Sequence, residues 1–341
     1  MRQAVMTAPG RIEIREVPVP ELAAGQVLVR MKRIGVCGSD IHVYHGKHAL
    51  TPYPVVQGHE VSGVVERVGA EVRGLAAGDR VTLQPQVTCG TCHPCRHGAY
   101  HICDQLKVMG FQTTGAASEL FAVDASKVLA LPPGMSLEQG AMIEPLAVGV
   151  HALARVGGAA GRKVLVLGAG PIGNRVAQAA RGLGAAAVMI TDVSDWRLEL
   201  AGRCGIELRV NPAKVDLAAA VSQHFGPDKA DLILECVGAQ KTVEQAVALA
   251  RKGSDVVVVG VFGDRPVVDM GTVQDRELRL VGTLMYQQPD WVTAIALVEQ
   301  GKVDLDPLVT DRFAFADYQK AYQYIDANRE RAMKVMIMVD R

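Results

Sequence analysis

An α/β fold in two parts is predicted for this chain, one part strand-rich and the other a doubly wound parallel sheet. Three observations predict it. From Arg162 onward the sequence repeats strand-then-helix units: KVLVL, then PIGNRVAQAARGLG, then AVMITD, and later ADLILECVG and DVVVVGVFG. Residues 1–131 read instead as short strands broken by Gly and Pro. Gly, Ala and Val dominate the apolar set while aromatic residues make up only 4%, the bias of sheets whose turns and helices pack closely. With 341 residues, 49% of them hydrophobic, the chain is long enough for about two domains with proper cores.

In chain order, Val27, Val29 and Met31 alternate with Leu28, Arg30 and Lys32 after the turn-forming Ala24-Gly25, the period of a half-buried strand. After about Gly282 the strand–helix repeat ends, and a helix near TAIALVEQ, a second near ADYQKAYQYIDAN and a final apolar strand KVMIMV follow. Lys plus Arg total 36 and Asp plus Glu total 36, so no global field draws the chain to nucleic acid or anionic lipid. The N-terminus, MRQAVMTAPGRIEIREV, lacks the apolar stretch of a signal peptide, and no apolar run approaches the roughly 18 residues that cross a bilayer. A cytoplasmic protein with a small-molecule partner, and neither a nucleic-acid nor a membrane partner, is the expectation. In a reducing compartment its 7 cysteines are metal ligands, reactive thiols or packing residues rather than disulfides.

Cys89, Cys92, Cys95 and Cys103 form C-x2-C-x2-C-x7-C. Two-residue gaps let a tight turn aim successive thiolates at one point, and four thiolates suit a closed tetrahedral zinc with no open position for substrate. An iron–sulfur cluster is the sharper rival, but ferredoxins place the fourth cysteine after a shorter gap and before Pro, whereas Asp104 follows Cys103. A nucleic-acid zinc ribbon is disfavoured because Arg96 is the lobe's only fixed cation. The expectation is a structural zinc. Cys37 in GVCGSDIH, His59-Glu60 in QGHEVSG and Glu144 in MIEPLAVGVHA form a second candidate group. One thiolate, one imidazole and one carboxylate would bind Zn2+ and leave a fourth position open, the layout of a catalytic zinc. Spacing alone does not bring the three together.

Gly168-Ala169-Gly170-Pro171-Ile172-Gly173 follows the strand KVLVL and opens a helix, the context a dinucleotide fingerprint requires. The first glycine allows the tight turn, the second lets backbone approach a pyrophosphate, the third lets helix pack on strand, and the helix N-terminus faces the phosphates. Asp192 ends the next strand, where a carboxylate binds ribose hydroxyls and repels a 2′-phosphate, which favours NAD over NADP. Arg197 stands close enough in sequence to accommodate such a phosphate, or is an ordinary surface cation of its helix. Cys204 and Cys236 are most simply packing residues.

The segments Gly58-His59-Glu60-Val61-Ser62-Gly63, Gly69, Val72 and Gly78-Asp79-Arg80-Val81 resemble the zinc signature of the medium-chain alcohol dehydrogenase superfamily, and Cys37-Gly38-Ser39-Asp40-Ile41-His42 resembles its first ligand segment. With the cysteine lobe, Ile143-Glu144-Pro145-Leu146 and the glycine fingerprint, the likeness covers essentially the whole chain. It implies a GroES-like catalytic domain over 1–149 and 284–341 and a Rossmann domain over 150–283. It also implies one structural and one catalytic zinc. Cys37 and His59 would bind the catalytic ion with Glu144 as third ligand, as in the sorbitol (polyol) dehydrogenase branch, while Glu60 supports or transiently joins them. Ser39 would hydrogen-bond the alcohol and pass its proton, by way of the cofactor ribose, to His42; Arg197 would contact that ribose. The implied reaction is hydride transfer from a secondary alcohol of a polyol or related sugar derivative to NAD, by a homodimer or homotetramer. Vicinal-diol and L-threonine dehydrogenases are neighbouring branches, and a nonenzymatic NAD(H)-binding relative would have lost a ligand or Ser39, which this chain retains. One departure stands out. Polyol enzymes carry an Arg before the Tyr of GTLMYQQPDW, and this chain has Met285, so His45, His48, Tyr44 and Tyr53 are the candidates to supply polar contacts in its stead.

Overall fold

A computed structural model describes residues 1–339 in two compact units, the first of 1–144 with the segment from Val309 onward and the second of Pro145–Leu308.

The first unit is built on a seven-stranded sheet. Its order is Val309–Ala314, Lys334–Met338, Gln26–Val36, Glu60–Val68, Arg80–Leu83, Val128–Ala130, with Leu120–Asp124 also pairing with Gln26–Val36. The first two strands are parallel and the other pairings antiparallel. The alternation read from Gln26 onward turns up as burial on both faces: Val27, Val29 and Met31 join the core with Val61, Val65, Val81 and Ile337, and Leu28 is buried as well. The C-terminal helix Tyr318–Ala327 lays Tyr318, Ala321 and Tyr322 on this core.

The second unit is a six-stranded, wholly parallel sheet. Its order is Leu208–Val210, Ala187–Thr191, Lys163–Leu167, Ala230–Glu235, Ala250–Val258, Arg279–Gly282. Numbered along the chain that is 3-2-1-4-5-6, the doubly wound order whose reversal lies beside the first strand. The loop leaving Lys163–Leu167 is the glycine fingerprint, so the fold delivers it to the switch point where such sheets bind nucleotides.

The units divide at other places than the bounds the resemblance implies. Residues 284–308 belong with the second unit, because the helix Gln288–Glu299 buries Trp291, Ala294 and Leu297 there. Asp290 accepts a 2.7 Å hydrogen bond from His151, and Leu297 packs over Gly182 of the helix Pro171–Gly182. At the other junction the helix Ile143–Ala154 starts on the divide itself, between Glu144 and Pro145.

Candidate active site

Cys37 caps the helix Gly38–Tyr44, and the strand Glu60–Val68 begins one residue after His59. Ligand atoms of Cys37, His59 and Glu60 lie within 4.8 Å of one another. Glu144 is not in that group. It is buried in the first turn of Ile143–Ala154, and the carboxylate oxygen within reach of Cys37 and His59 is that of Glu60. Strand pairing sets Glu60 opposite Gly35, where a Cβ would stand 2.5 Å from its Oε2 and push the carboxylate aside. Lys334, from the last strand, donates from Nζ to Glu60 Oε2 and, at 3.0 Å, to the Val36 carbonyl.

Asp40 organises the other side. Its Oδ2 accepts the Cys37 backbone N–H at 2.9 Å, and its Oδ1 lies 3.4 Å from His59 Nδ1. Burial alone would lower the His59 imidazole; the carboxylate of Asp40 and the neighbouring Cys37 thiol outweigh it and raise His59 well above its ordinary value. These buried groups therefore attract positive charge. With Glu60 balanced by Lys334, the Asp40 carboxylate and a Cys37 thiolate leave two negative charges for a divalent cation to neutralise. His59 Nδ1 makes no hydrogen bond of good geometry, and with Nδ1 against Asp40 the ring's Nε2 is the nitrogen left for a metal. The donor set fits zinc. Ser39, two residues after Cys37, is half-buried, and His42 is exposed on the same helix.

The polar candidates around this segment separate clearly. Tyr44 is buried against Tyr322, His45 bonds Asp326 at 2.8 Å, and Tyr53 donates to the Val43 carbonyl, so all three hold the fold. His48 is different. Its Nδ1 bonds Thr51 Oγ1 at 2.8 Å, and its ring lies 5.1 Å from Phe111, whose ring is 5.0 Å from that of His59. Burial, then His42, lowers the His48 imidazole and favours its neutral form.

The four cysteines of the lobe also converge within 4.8 Å, and none forms a disulfide. Cys103 Sγ lies 3.5 Å from Cys89 Sγ and 3.8 Å from Cys92 Sγ. Zinc–sulfur bonds of about 2.3 Å in a tetrahedron put the sulfurs about 3.8 Å apart, so the thiols fit one zinc ion; a cluster of several irons would hold them farther apart. Backbone N–H groups of Thr91 and Cys92 point at Cys89 and pull its thiol down to about 6. Desolvation, with the sulfurs of Cys92 and Cys103, pushes Cys95 up to about 12.

In the second unit, a cavity of 340 Å³ is lined by Gly168, Gly170, Pro171, Asp192, Arg197 and Lys241. Gly168 holds φ +99°, Gly173 would set a Cβ 1.9 Å from the Gly168 carbonyl oxygen, and Gly170 faces open space at the N-terminus of Pro171–Gly182. The bare backbone at Gly170, with Ile172 and Gly173 behind it in the first turn, fits a pyrophosphate. Asp192 follows the strand Ala187–Thr191; its oxygens accept N–H groups of Ala169 and Ser194, each at 2.9 Å, and Arg197 Nη1 stands 3.6 Å away.

Sequence reasoning did not single out Asp40, Lys334, Gln57 or Lys241. Asp40 had a local signal, an acidic residue three places after the first ligand at a helix start. Lys334 had none.

Comparison with known proteins identifies the family. Residues 23–133 match the family described as alcohol dehydrogenase GroES-like domain, and 171–300 match zinc-binding dehydrogenase. The chain is 36% identical to a 2-dehydro-3-deoxy-L-galactonate 5-dehydrogenase of Pseudoalteromonas atlantica over 92% of each chain. It is 34% identical to a sorbitol dehydrogenase of Arabidopsis thaliana over 95% of this chain and 91% of the other. The crystal structure of galactitol-1-phosphate dehydrogenase from Escherichia coli superposes with a TM-score of 0.92 at 32% identity, covering 99% of this chain and 100% of that one.

Proposed function

For a chain that belongs to the zinc-dependent medium-chain alcohol dehydrogenase superfamily, in its sorbitol (polyol) branch, we propose that the substrate is a secondary alcohol of a polyol or related sugar derivative, oxidised to the ketone. The class is an NAD-dependent zinc dehydrogenase. The observation that carries the reading is the convergence of Cys37, His59 and Glu60, with Ser39 beside the first of them.

Zinc bound there supplies Lewis acidity at the alcohol oxygen, and NAD supplies the hydride acceptor. Cys37, His59 and Glu60 are the proposed catalytic ligands, with Glu60 in the place expected of Glu144; Cys89, Cys92, Cys95 and Cys103 hold the structural ion. Ser39 Oγ accepts the hydrogen bond of the alcohol hydroxyl, which orients the alcohol, and as it takes that proton it releases its own toward His42, so the serine stays neutral. His42, exposed on the same helix, delivers that proton to water. Gly168, Gly170, Pro171, Ile172 and Gly173 bind the pyrophosphate, and Asp192, steadied by Arg197, takes the adenosine ribose hydroxyls.

Met285 lies in the second unit with φ +53°, a backbone conformation few side chains adopt, and brings no donor fork. His48, neutral and anchored by Thr51, is the proposed hydroxyl contact in place of the missing arginine. Cytoplasmic location is supported by the free thiols, and among the described residues no helix is long and apolar enough to cross a membrane. A homodimer or homotetramer is proposed from the family alone.

The test is NADH formation by zinc-replete protein across sugar alcohols, cyclitols, sugar acids, butanediol, L-threonine and simple secondary alcohols. A clear rate with a polyhydroxylated member is expected. Activity confined to butanediol or L-threonine would move the protein to a neighbouring branch, and silence across the panel would sink the reading.

A further inference from the structure

Behind the catalytic ligands runs a buried polar chain that the reaction itself does not use. Tyr322, wholly buried on the C-terminal helix, donates its hydroxyl to Gln57 Oε1 at 3.0 Å. Gln57 Nε2 donates to Asp40 Oδ1 at 3.1 Å, and Asp40 reaches both Cys37 and His59. Gln57 and Asp40 are 2% and 1% exposed, so water does not compete for these groups.

Donor and acceptor accounting fixes the direction of the chain. A carboxylate beside Cys37 N–H and the His59 ring accepts only, so the Gln57 amide must present nitrogen to Asp40 and oxygen to Tyr322. The reversed amide would set oxygen against carboxylate and turn an N–H toward the tyrosine hydroxyl. Tyr322 is itself immobile, its ring 5.3 Å from Tyr44 and stacked at 5.7 Å on Tyr318. The backbone of Gln57 is pinned as well, since its carbonyl accepts Ala117 N–H at 2.9 Å and Gly58 accepts Ala116 N–H.

From this arrangement we infer that Tyr322 and Gln57 are positioning residues for the catalytic metal: they hold the Asp40 carboxylate 3.4 Å from His59 Nδ1, where its charge favours the proton on Nδ1 and leaves the lone pair on Nε2. The inference rests on the catalytic-zinc reading above and extends it to a helix more than 260 residues away in sequence from Gln57. A valine or leucine at 57 would fill the same core and leave Asp40 free to turn, so the amide is there for direction rather than for packing.

The experiment follows zinc release from the fully loaded, full-length enzyme into excess chromogenic chelator. The four-cysteine ion in the same unit is the internal control for folding. In Tyr322→Phe and Gln57→Leu one zinc per chain should leave about 10-fold faster than in the parent while the other leaves at the parent rate, since outer partners of metal ligands are worth that much in affinity. Gln57→Glu should release it faster still, because a second carboxylate then faces Asp40. The double variant Tyr322→Phe/Gln57→Leu should be no faster than the faster single, as expected of links in one chain. Parent-like release in all variants, or equal acceleration of both ions, overturns the inference and leaves the dehydrogenase reading intact. A parent enzyme that holds only the four-cysteine zinc overturns both, whereas accelerated release in an enzyme silent on every polyol supports the inference and removes only the substrate.

Discussion

Lys334→Met isolates what the buried pair with Glu60 contributes. Both side chains are almost fully buried, at 3% and 1%, and Lys334 Nζ also serves the Val36 carbonyl. Methionine keeps the length and apolar stem of lysine, so little cavity opens and the change is chiefly electrostatic. Removing one partner of such a pair strands the other charge, at a cost of about 3–5 kcal/mol. For a domain of this size about 2–4 °C of melting temperature follows each kcal/mol, so protein stripped of the catalytic ion alone should melt about 6–20 °C lower. With zinc restored, Glu60 regains a cation, and the loss should fall to less than half. Calorimetry of parent and variant, each with and without the chelatable ion, supplies the four values. An equal loss in both metal states would mean that Glu60 does not face the metal, and no loss in either would mean that the pair is not the buried contact described here.

Other expectations are as direct. Gly173→Ala should weaken NADH binding about 10-fold or more by fluorescence titration, because a Cβ placed 1.9 Å from the Gly168 oxygen forces the loop off its position; unchanged affinity would remove the loop from the cofactor site. Asp192→Ala should erode the NAD over NADP ratio of kcat/KM by about 10-fold, and an unchanged ratio would show that Asp192 does not hold the ribose. Asp255 is pushed up by burial, but the guanidinium groups of Arg279 and Arg162 outweigh that and hold it below the usual carboxylate range. A depressed folded value means stability present above the unfolded pKa of about 3.9 and lost as pH falls through the folded value, so the urea midpoint of Asp255→Asn should trail the parent at neutral pH and approach it below about pH 4. A gap that persists unchanged to pH 2 would contradict the assignment of that stability to the ionised form.

What the sequence made legible was what its spacing encodes locally. The cysteine lobe and the glycine loop are short segments whose function needs only their own residues in order, and both stand where the spacing puts them, with sulfurs converging and Gly170 facing open space. The parallel sheet also follows from local repeats, since a strand–helix–strand unit crosses over right-handed, although the place where the order reverses does not. The divide between the units was harder. In the helix Gln288–Glu299 the alternation of apolar and polar residues looks the same whichever unit it covers; Trp291 and Leu297 decide it by the surface they find.

The catalytic group shows the same limit at finer grain. Glu60 and Glu144 are both carboxylates in apolar surroundings, and the residues around them along the chain do not by themselves rank one above the other; the family resemblance favours Glu144. Three distant facts place the Glu60 carboxylate beside Cys37 and His59: Gly35 lies opposite it in the sheet, the missing side chain leaves space for it, and Lys334 arrives 274 residues later to share its charge. Register, a void and a long-range ion pair have no local signature. Tyr322 and Gln57 belong to that same category, 265 residues apart and joined by a single hydrogen bond. A metal centre is therefore read from sequence at its ligands and from structure at the groups that aim them. Variants at Gln57, Tyr322 and Lys334 test the second part without touching the first.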